Sequence, residues 1–279
     1  MELFDWKSFL LLVIIFVPLE RLLAMHPEQA VFRRGWCNDL VYVLVNGWLI
    51  KVGVIGVVVG GIVLTEAVVP DAWRGAVASQ PYWLQTVQVL VIADVGFYLV
   101  HRSFHAIPWL WKFHAVHHSI EELDWLAAHR VHPVDQILTK SASLIPCFAL
   151  GYSEVALAAF AVIYHWQSIL LHSNVRLNFG PLRWLIASPE FHHWHHSDHR
   201  EAYDKNFAGQ FAILDLVFGT AHMTRGQRPT KYGCTDPVPH VYWQQLLYPF
   251  RQWLPAANPK AASGLKPGEA PSSDTQRAA

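Results

Sequence analysis

Long apolar stretches alternate with short polar ones along the first hundred residues. Leu10–Leu19 is almost wholly apolar, Leu40–Leu64 is interrupted by Asn46 and Lys51, and Trp83–Val100 is interrupted chiefly by Gln85, Gln88 and Asp94. About 20 helical residues at 1.5 Å rise cross the hydrocarbon core of a bilayer. The second stretch is therefore long enough to span alone, and the others need extension or tilt. Two further apolar runs, Ile137–Leu150 and Val155–Leu171, flank the turn-like Gly151, Tyr152, Ser153 and Glu154. They predict a helical hairpin that dips into the bilayer and returns, leaving the polar segments before and after it on one side. Residues 1–93 are expected to be transmembrane helices, and 94–254 a functional region that includes the hairpin. From Pro255 the chain is rich in Ala, Pro, Gly and Ser with nothing large to bury, so 255–279 is expected to be a disordered tail.

Composition supports a membrane protein, because 53% of the 279 residues are hydrophobic and 15% charged, which lies outside the usual soluble range. Thirteen Trp and nine Tyr, many near segment ends, suit a membrane interface. The N-terminal MELFDWK carries two acids and one lysine before its apolar run, a poor start for a cleaved signal peptide, and reads as a retained helix. Arg21, Arg33 and Arg34 lie between the first two apolar stretches, whereas the segment 65–82 carries only Arg74. That bias places the first loop in the cytoplasm. A formal net charge of zero gives no reason to expect nucleic acid. Cys37, Cys147 and Cys234 are scattered without CxxC spacing, so neither a disulfide framework nor a thiolate zinc site is expected.

Candidate chemistry is concentrated in the histidines. Fourteen of seventeen fall between residues 101 and 199, thirteen of them in HRSFH, HAVHH, HRVHP, HWQSILLH and HHWHH and the last at His199. Neutral imidazole is the commonest transition-metal ligand, and a buried core has no need of so many half-polar rings. His101 and His105 are four apart, and His114, His117 and His118 repeat the logic at three and four. His192, His195 and His196 do so again. Residues three or four apart share a helix face about 5–6 Å apart, so His101 and His105 can reach one metal site and each later set supplies ligands from one turn. The expected fold class is an all-α membrane protein with multi-pass transmembrane helices, capped by a cytoplasmic, histidine-rich helical metal domain.

HRSFH, HAVHHS and HHWHH, with HRVHPVD between them and ASPEFHHWHHSDHREAYDKNFAGQFAILDLVFGT around the last, resemble the fatty acid hydroxylase and sterol desaturase superfamily of membrane histidine-box oxidases. The match runs over roughly Asp94–Thr220 and looks like the bacterial branch. The resemblance implies a di-iron centre held by His101, His105, His114, His117, His118, His192, His195 and His196. His172, in LLHSN, matches a further family histidine. His132 becomes a tenth ligand or a residue bonded to one, and His129 a further candidate for the same part. Zinc outranks ferrous iron for nitrogen sites and can substitute in isolated protein. The implied activity uses dioxygen and electrons from a separate donor protein to hydroxylate or desaturate a lipid, whether fatty acyl chain, sterol or related isoprenoid. The bacterial branch favours hydroxylation.

Residues outside the boxes have other readings. His165 lies two helical turns before His172, about 10 Å along the axis, and is expected to pack or support a ligand. His193 adjoins a ligand and points about 100° away from it, towards a supporting or surface position. Asp94 lies two turns before His101 within an apolar stretch, where a carboxylate needs a partner. A ligand imidazole and an inter-helix hydrogen bond are both open to it. Asn206 and Asp215 are expected to be structural or to support ligands. Two rival functions remain. A metal transporter would place its ligands near the bilayer midplane, and a zinc hydrolase would use few ligands per metal.

Overall fold

Proline and small polar residues set the helix boundaries. The chain forms α1 (Trp6–Leu22), α2 (Trp36–Val41), a π-helical stretch Tyr42–Asn46, α3 (Gly47–Glu66), α4 (Asp71–Ala78) and α5 (Tyr82–Ala106). It continues with α6 (Pro108–His118), α7 (Pro133–Ala149), α8 (Glu154–His172), α9 (Pro189–His195), α10 (Ile213–Val217) and α11 (Tyr242–Leu247). This computed structural model describes residues 6–66, 68–224 and 226–253, and the tail from Pro255 lies outside them. The chain divides into Met1–Pro249, treated below, and Phe250–Ala279, of which 250–253 are described as part of the 3-10 turn Tyr248–Trp253. No strand occurs among the described residues.

Three continuous helical segments are long and apolar enough to cross a bilayer: Trp36–Val63, Tyr82–Ala106 and Glu154–His172. Their outer faces carry exposed Val52, Ile55 and Val59 on α3, Val91 and Leu99 on α5, and Val162 and Ile163 on α8. Apolar surface of that extent suits lipid rather than water. α1 and α7, at 17 residues each, are shorter. Ile107 is extended ahead of Pro108 at the first position of α6, so the chain turns sharply between α5 and α6.

α7 packs closely against α3 and α5 because glycine faces it on both. A Cβ on Gly53 would overlap the Ile137 side chain, and one on Gly61 would lie 2.8 Å from Ile145 Cγ1. On α5, a Cβ at Gly96 would run into the Ala142 backbone carbonyl. Ser143 Oγ adds a hydrogen bond to the Ala93 carbonyl at 2.9 Å. Small residues at such contacts let backbones approach where lipid supplies no hydrophobic drive between helices. The α7–α8 hairpin is as expected, and its turn sits at the start of α5: Tyr152 Oη and the Ser153 N–H donate to Gln88 and Gln85 side chains, both at 2.9 Å. Both open ends of the hairpin therefore lie at the other end of α5, where His101 and His105 are.

Buried ionic contacts tie the loops together at that end. Arg33 Nη2 reaches Asp39 at 2.5 Å and Asp124 at 2.6 Å, and Arg130 pairs with Asp39 from the other side. Glu20 of α1 accepts the N–H groups of Trp125 at 2.7 Å and Asn174 at 2.9 Å. Arg33 thus acts as an internal counter-ion rather than a free loop charge, which weakens the arginine asymmetry on which the topology expectation rested.

Gly96→Val is expected to destabilise the purified protein by about 1–3 kcal/mol through overpacking. Gly60→Val, where nothing lies within 4 Å, should stay within about 0.5 kcal/mol of the parent. Chemical unfolding of both variants in the same detergent compares them.

Candidate metal centre

The histidines assemble where four helices end or begin. α5 brings His101 and His105 in its last two turns, α6 ends on His117 and His118, α8 ends on His172, and α9 carries His192 and His195 with His196 as its C-cap. They form two groups: His101, His105, His114, His118 and His195, and His117, His172, His192 and His196. Within each group the nearest ligand atoms all lie within 4.8 Å of one another. His114 and His118 share a face of α6 while His117 points about 100° away from His118, so one HxxHH box serves both groups. α9 divides in the same manner, with His195 in the first group and His192 and His196 in the second. The His118 and His196 rings stack between the groups with centroids 4.6 Å apart.

Hydrogen bonds at the back of each ring decide which nitrogen faces inward. Nδ1 donates to the carbonyl of Phe207 from His101 at 2.7 Å, of Lys205 from His195 at 2.7 Å, of Arg130 from His117 at 2.9 Å and of Ser168 from His172 at 2.7 Å. Carboxylates take the same part for two others, Asp135 with His114 at 2.6 Å and Asp204 with His105 at 3.2 Å. A carbonyl can only accept, so the proton sits on Nδ1 and the Nε2 lone pair points into the group. The Nε2 atoms of His118 and His195 are 3.0 Å apart, as are those of His172 with His117 and with His192. Among the rings held from behind, these are lone pairs facing lone pairs, an arrangement that a cation between them satisfies. His105 Nε2 is likewise buried without a partner. This donor set fits two transition-metal ions.

Outside the spanning helices, burial first and neighbouring imidazoles second hold His114, His118, His192 and His196 well below the usual histidine pKa. Burial has the same leading effect at His117 and His195. All six are therefore neutral near pH 7, which is the ligating form.

The three non-histidine candidates act on one backbone segment. Asp94 accepts the N–H groups of Gly209, Gln210 and Phe211 at 3.0, 2.9 and 2.7 Å, and Asp215 accepts those of Phe207 and Ala208, both at 2.8 Å. Asn206, in the left-handed region at φ 60°, donates to the Phe191 and His222 carbonyls at 2.8 Å each. Together they hold the strap Lys205–Phe211, whose carbonyls at Lys205 and Phe207 orient His195 and His101. Asp94 bonds no imidazole among the described residues; its two oxygens face three backbone donors of the strap instead. Its effect on His101 passes through the backbone.

The other candidates lie outside both groups. His193 is fully buried rather than at the surface, its Nδ1 2.8 Å from Tyr232 Oη and its Nε2 2.9 Å from the Ser173 carbonyl. His132 caps α7, with Nδ1 accepting the Val134 N–H at 3.1 Å and Nε2 donating to the Leu246 carbonyl at 3.2 Å. Burial pushes its pKa down to about 4. With both nitrogens engaged, His132 is placed as a helix cap. His129 Nε2 is buried without a partner, and His129 lines a separate cavity with His165. Sequence reasoning passed over Asp135 and Asp204. Asp135 stands three residues after His132 in HRVHPVD, a phrase already singled out, and a carboxylate there was the available signal.

Two cavities flank the centre. A cleft of about 320 Å³ reaches His105, His118 and His195 and is bordered by Ser197, Tyr203 and Asp204. A larger cavity of about 660 Å³ lies between α3, α7 and α8, with Ser168 in its wall next to His172.

Elemental analysis of purified protein is expected to find two transition-metal ions per chain, and His118→Ala or His195→Ala should lose at least one of them while still inserting in membranes. Asp135→Ala keeps every ligand but frees His114 Nδ1, and should weaken metal affinity about 10–100-fold in a chelator competition. Full metal content in both histidine variants would remove them from the ligand set.

Comparison with known proteins places this geometry. Residues 86–220 match the fatty acid hydroxylase family model. The chain is 32% identical over 200 residues to ornithine lipid hydroxylase OlsE of Rhizobium tropici, covering 72% of this chain and 57% of that protein. It is 34% identical over 152 residues to human alkylglycerol monooxygenase, covering 52% of this chain and 32% of the relative. A third relative, very-long-chain aldehyde decarbonylase of Oryza sativa, is 30% identical over 157 residues, 51% of this chain and 24% of that protein. The chain thus spans about a quarter to somewhat over half the length of these relatives. No solved structure matches it. The match to the fatty acid hydroxylase family thus covers residues 86–220, the stretch that carries all nine clustered histidines.

Proposed function

We propose that the protein is a membrane-embedded di-iron oxidase that hydroxylates a lipid with dioxygen and external electrons. The observation that carries this reading is the pair of all-imidazole groups at the ends of apolar helices, each with inward lone pairs and neutral rings. One iron would be held by His101, His105, His114, His118 and His195, the other by His117, His172, His192 and His196. Bound there, iron supplies the redox chemistry by which dioxygen attacks an unactivated C–H bond.

The chain's own residues supply order and access. Asp135, Asp204 and the four carbonyls fix ring orientation, and the strap keeps His101 and His195 from rotating. All the clustered histidines but His105 are buried, while the cleft beside His105 and Asp204 gives dioxygen and protons a path from the polar side. The spanning helices present the lipid. Two of the relatives are named as a hydroxylase and a monooxygenase, which favours hydroxylation over desaturation for this chain. Arg21 and Arg34, against Arg74 alone in the next loop, favour a cytoplasmic position for the centre, the side on which a separate electron-donor protein would meet it.

Ligand placement argues against the rival functions. Transport calls for ligands near the bilayer midplane, whereas these lie at helix ends. Zinc hydrolysis rests on about three protein ligands per metal, fewer than either group offers.

Iron-loaded protein in vesicles of total bacterial lipid is expected to consume oxygen only after a ferredoxin and its reductase are added. With labelled dioxygen, one labelled atom should appear in the lipid product. Label in water alone, with a new double bond, would change the assignment to desaturase. Lipid conversion without oxygen or reductant would overturn the oxidase reading.

A further inference from the structure

The larger cavity is amphipathic along its length. Ile55, Val54, Leu144, Phe160 and Ala161 line its apolar part, and Ile55 is also exposed on the lipid-facing side of α3. Its polar part is formed by Gln136, Lys140, His129, His165 and Ser168, and Lys51 adds a second cation. No Asp or Glu lines it. The Ser168 carbonyl holds His172 Nδ1 at 2.7 Å, so Ser168 links the polar part to a clustered histidine one helical turn on.

Two groups in this polar part lack partners. Lys140 forms no ion pair or hydrogen bond among the described residues, although it projects from α7 among apolar helices. A charge at that depth is costly unless an opposite charge or several hydrogen bonds meet it. His129 Nε2 is buried and unpaired on the same wall. Among the described residues, the side chains lining the cavity around them are cationic, neutral or apolar, and Asp39, the carboxylate whose charge reaches His129, is already taken up by Arg33 and Arg130. The missing partner is an anion, and the apolar part gives that anion a hydrocarbon tail.

We infer that this cavity binds a lipid by its acidic group, with Lys140 and His129 holding a carboxylate or phosphate beside the His172 side of the centre while the chain extends between α3 and α8 into the bilayer. The inference rests on the lipid-oxidase reading for the identity of the occupant, and it narrows that occupant to an anionic amphiphile. Lys140 becomes the residue that sets head-group specificity. The volume of about 660 Å³ lies within the range of specific small-molecule sites and holds the head and first part of a chain.

Displacement of a fluorescent fatty acid from the purified full chain in a non-ionic detergent tests this without turnover. Oleate is compared with oleyl alcohol, and oleoyl lysophosphatidate with monoolein, at equal chain length. The parent protein should prefer the anion of at least one pair about tenfold or more, as a charge-assisted hydrogen bond implies. Lys140→Met should bring that ratio close to one with neutral-lipid binding retained, and Lys140→Arg should preserve it. The better pair separates a carboxylate from a phosphate head. Equal binding of anion and neutral lipid by the parent, or a preference that survives Lys140→Met, overturns the inference. Metal content measured on the same samples reports folding. Parent protein that shows the preference but never consumes oxygen with the ferredoxin system would sink the oxidase reading and leave the anion site standing.

Discussion

Everything at the functional end of this molecule depends on where six imidazole protons go. Four are given to backbone carbonyls and two to carboxylates, and each such bond turns the opposite nitrogen into a donor aimed at a shared centre. Without those acceptors the rings could flip or exchange tautomers, and the groups would be a cluster of histidines rather than a ligand set. The surrounding architecture supplies the acceptors. The Arg33–Asp39–Arg130 contacts hold the loop whose Arg130 carbonyl faces His117, and Asp94 and Asp215 hold the strap that faces His101 and His195.

The membrane-spanning part serves the same end by fixing helix heights. Ile137 and Ile145 seated against Gly53 and Gly61, and Gly96 against Ala142, set how α7 lies along α3 and α5. Gln85 and Gln88 anchor the hairpin turn at the far end. The C-terminal ends of α5 and α8 and the start of α7 consequently meet at one level, which brings His101, Asp135 and His172 together despite their separation in the chain.

Local periodicity made part of this legible. Box spacing at 114, 117 and 118 marked histidines that a helix would cluster, the apolar runs marked the long helices, and the four turn residues at 151–154 marked the hairpin. The division of each HxxHH box between two groups follows from the 100° step, yet it needs the partner helices to become visible. Asp94 was noticeable as a lone carboxylate in an apolar run. Its partners, Gly209–Phe211, are more than a hundred residues away and interact through backbone N–H groups that carry no residue signature. His193 shows the same limit: its direction away from the ligands was readable, whereas its burial depends on Tyr232, on a distant loop.

α6 and α9 each feed both histidine groups, so neither group can be adjusted alone. Seating an ion in one group locks the pitch and rotation of both short helices and thereby positions His117, His192 and His196, or reciprocally His114, His118 and His195, for the second ion. Metal loading is thus coupled through two rigid helical turns. Under the di-iron reading, such coupling would favour empty and fully loaded chains over half-loaded ones.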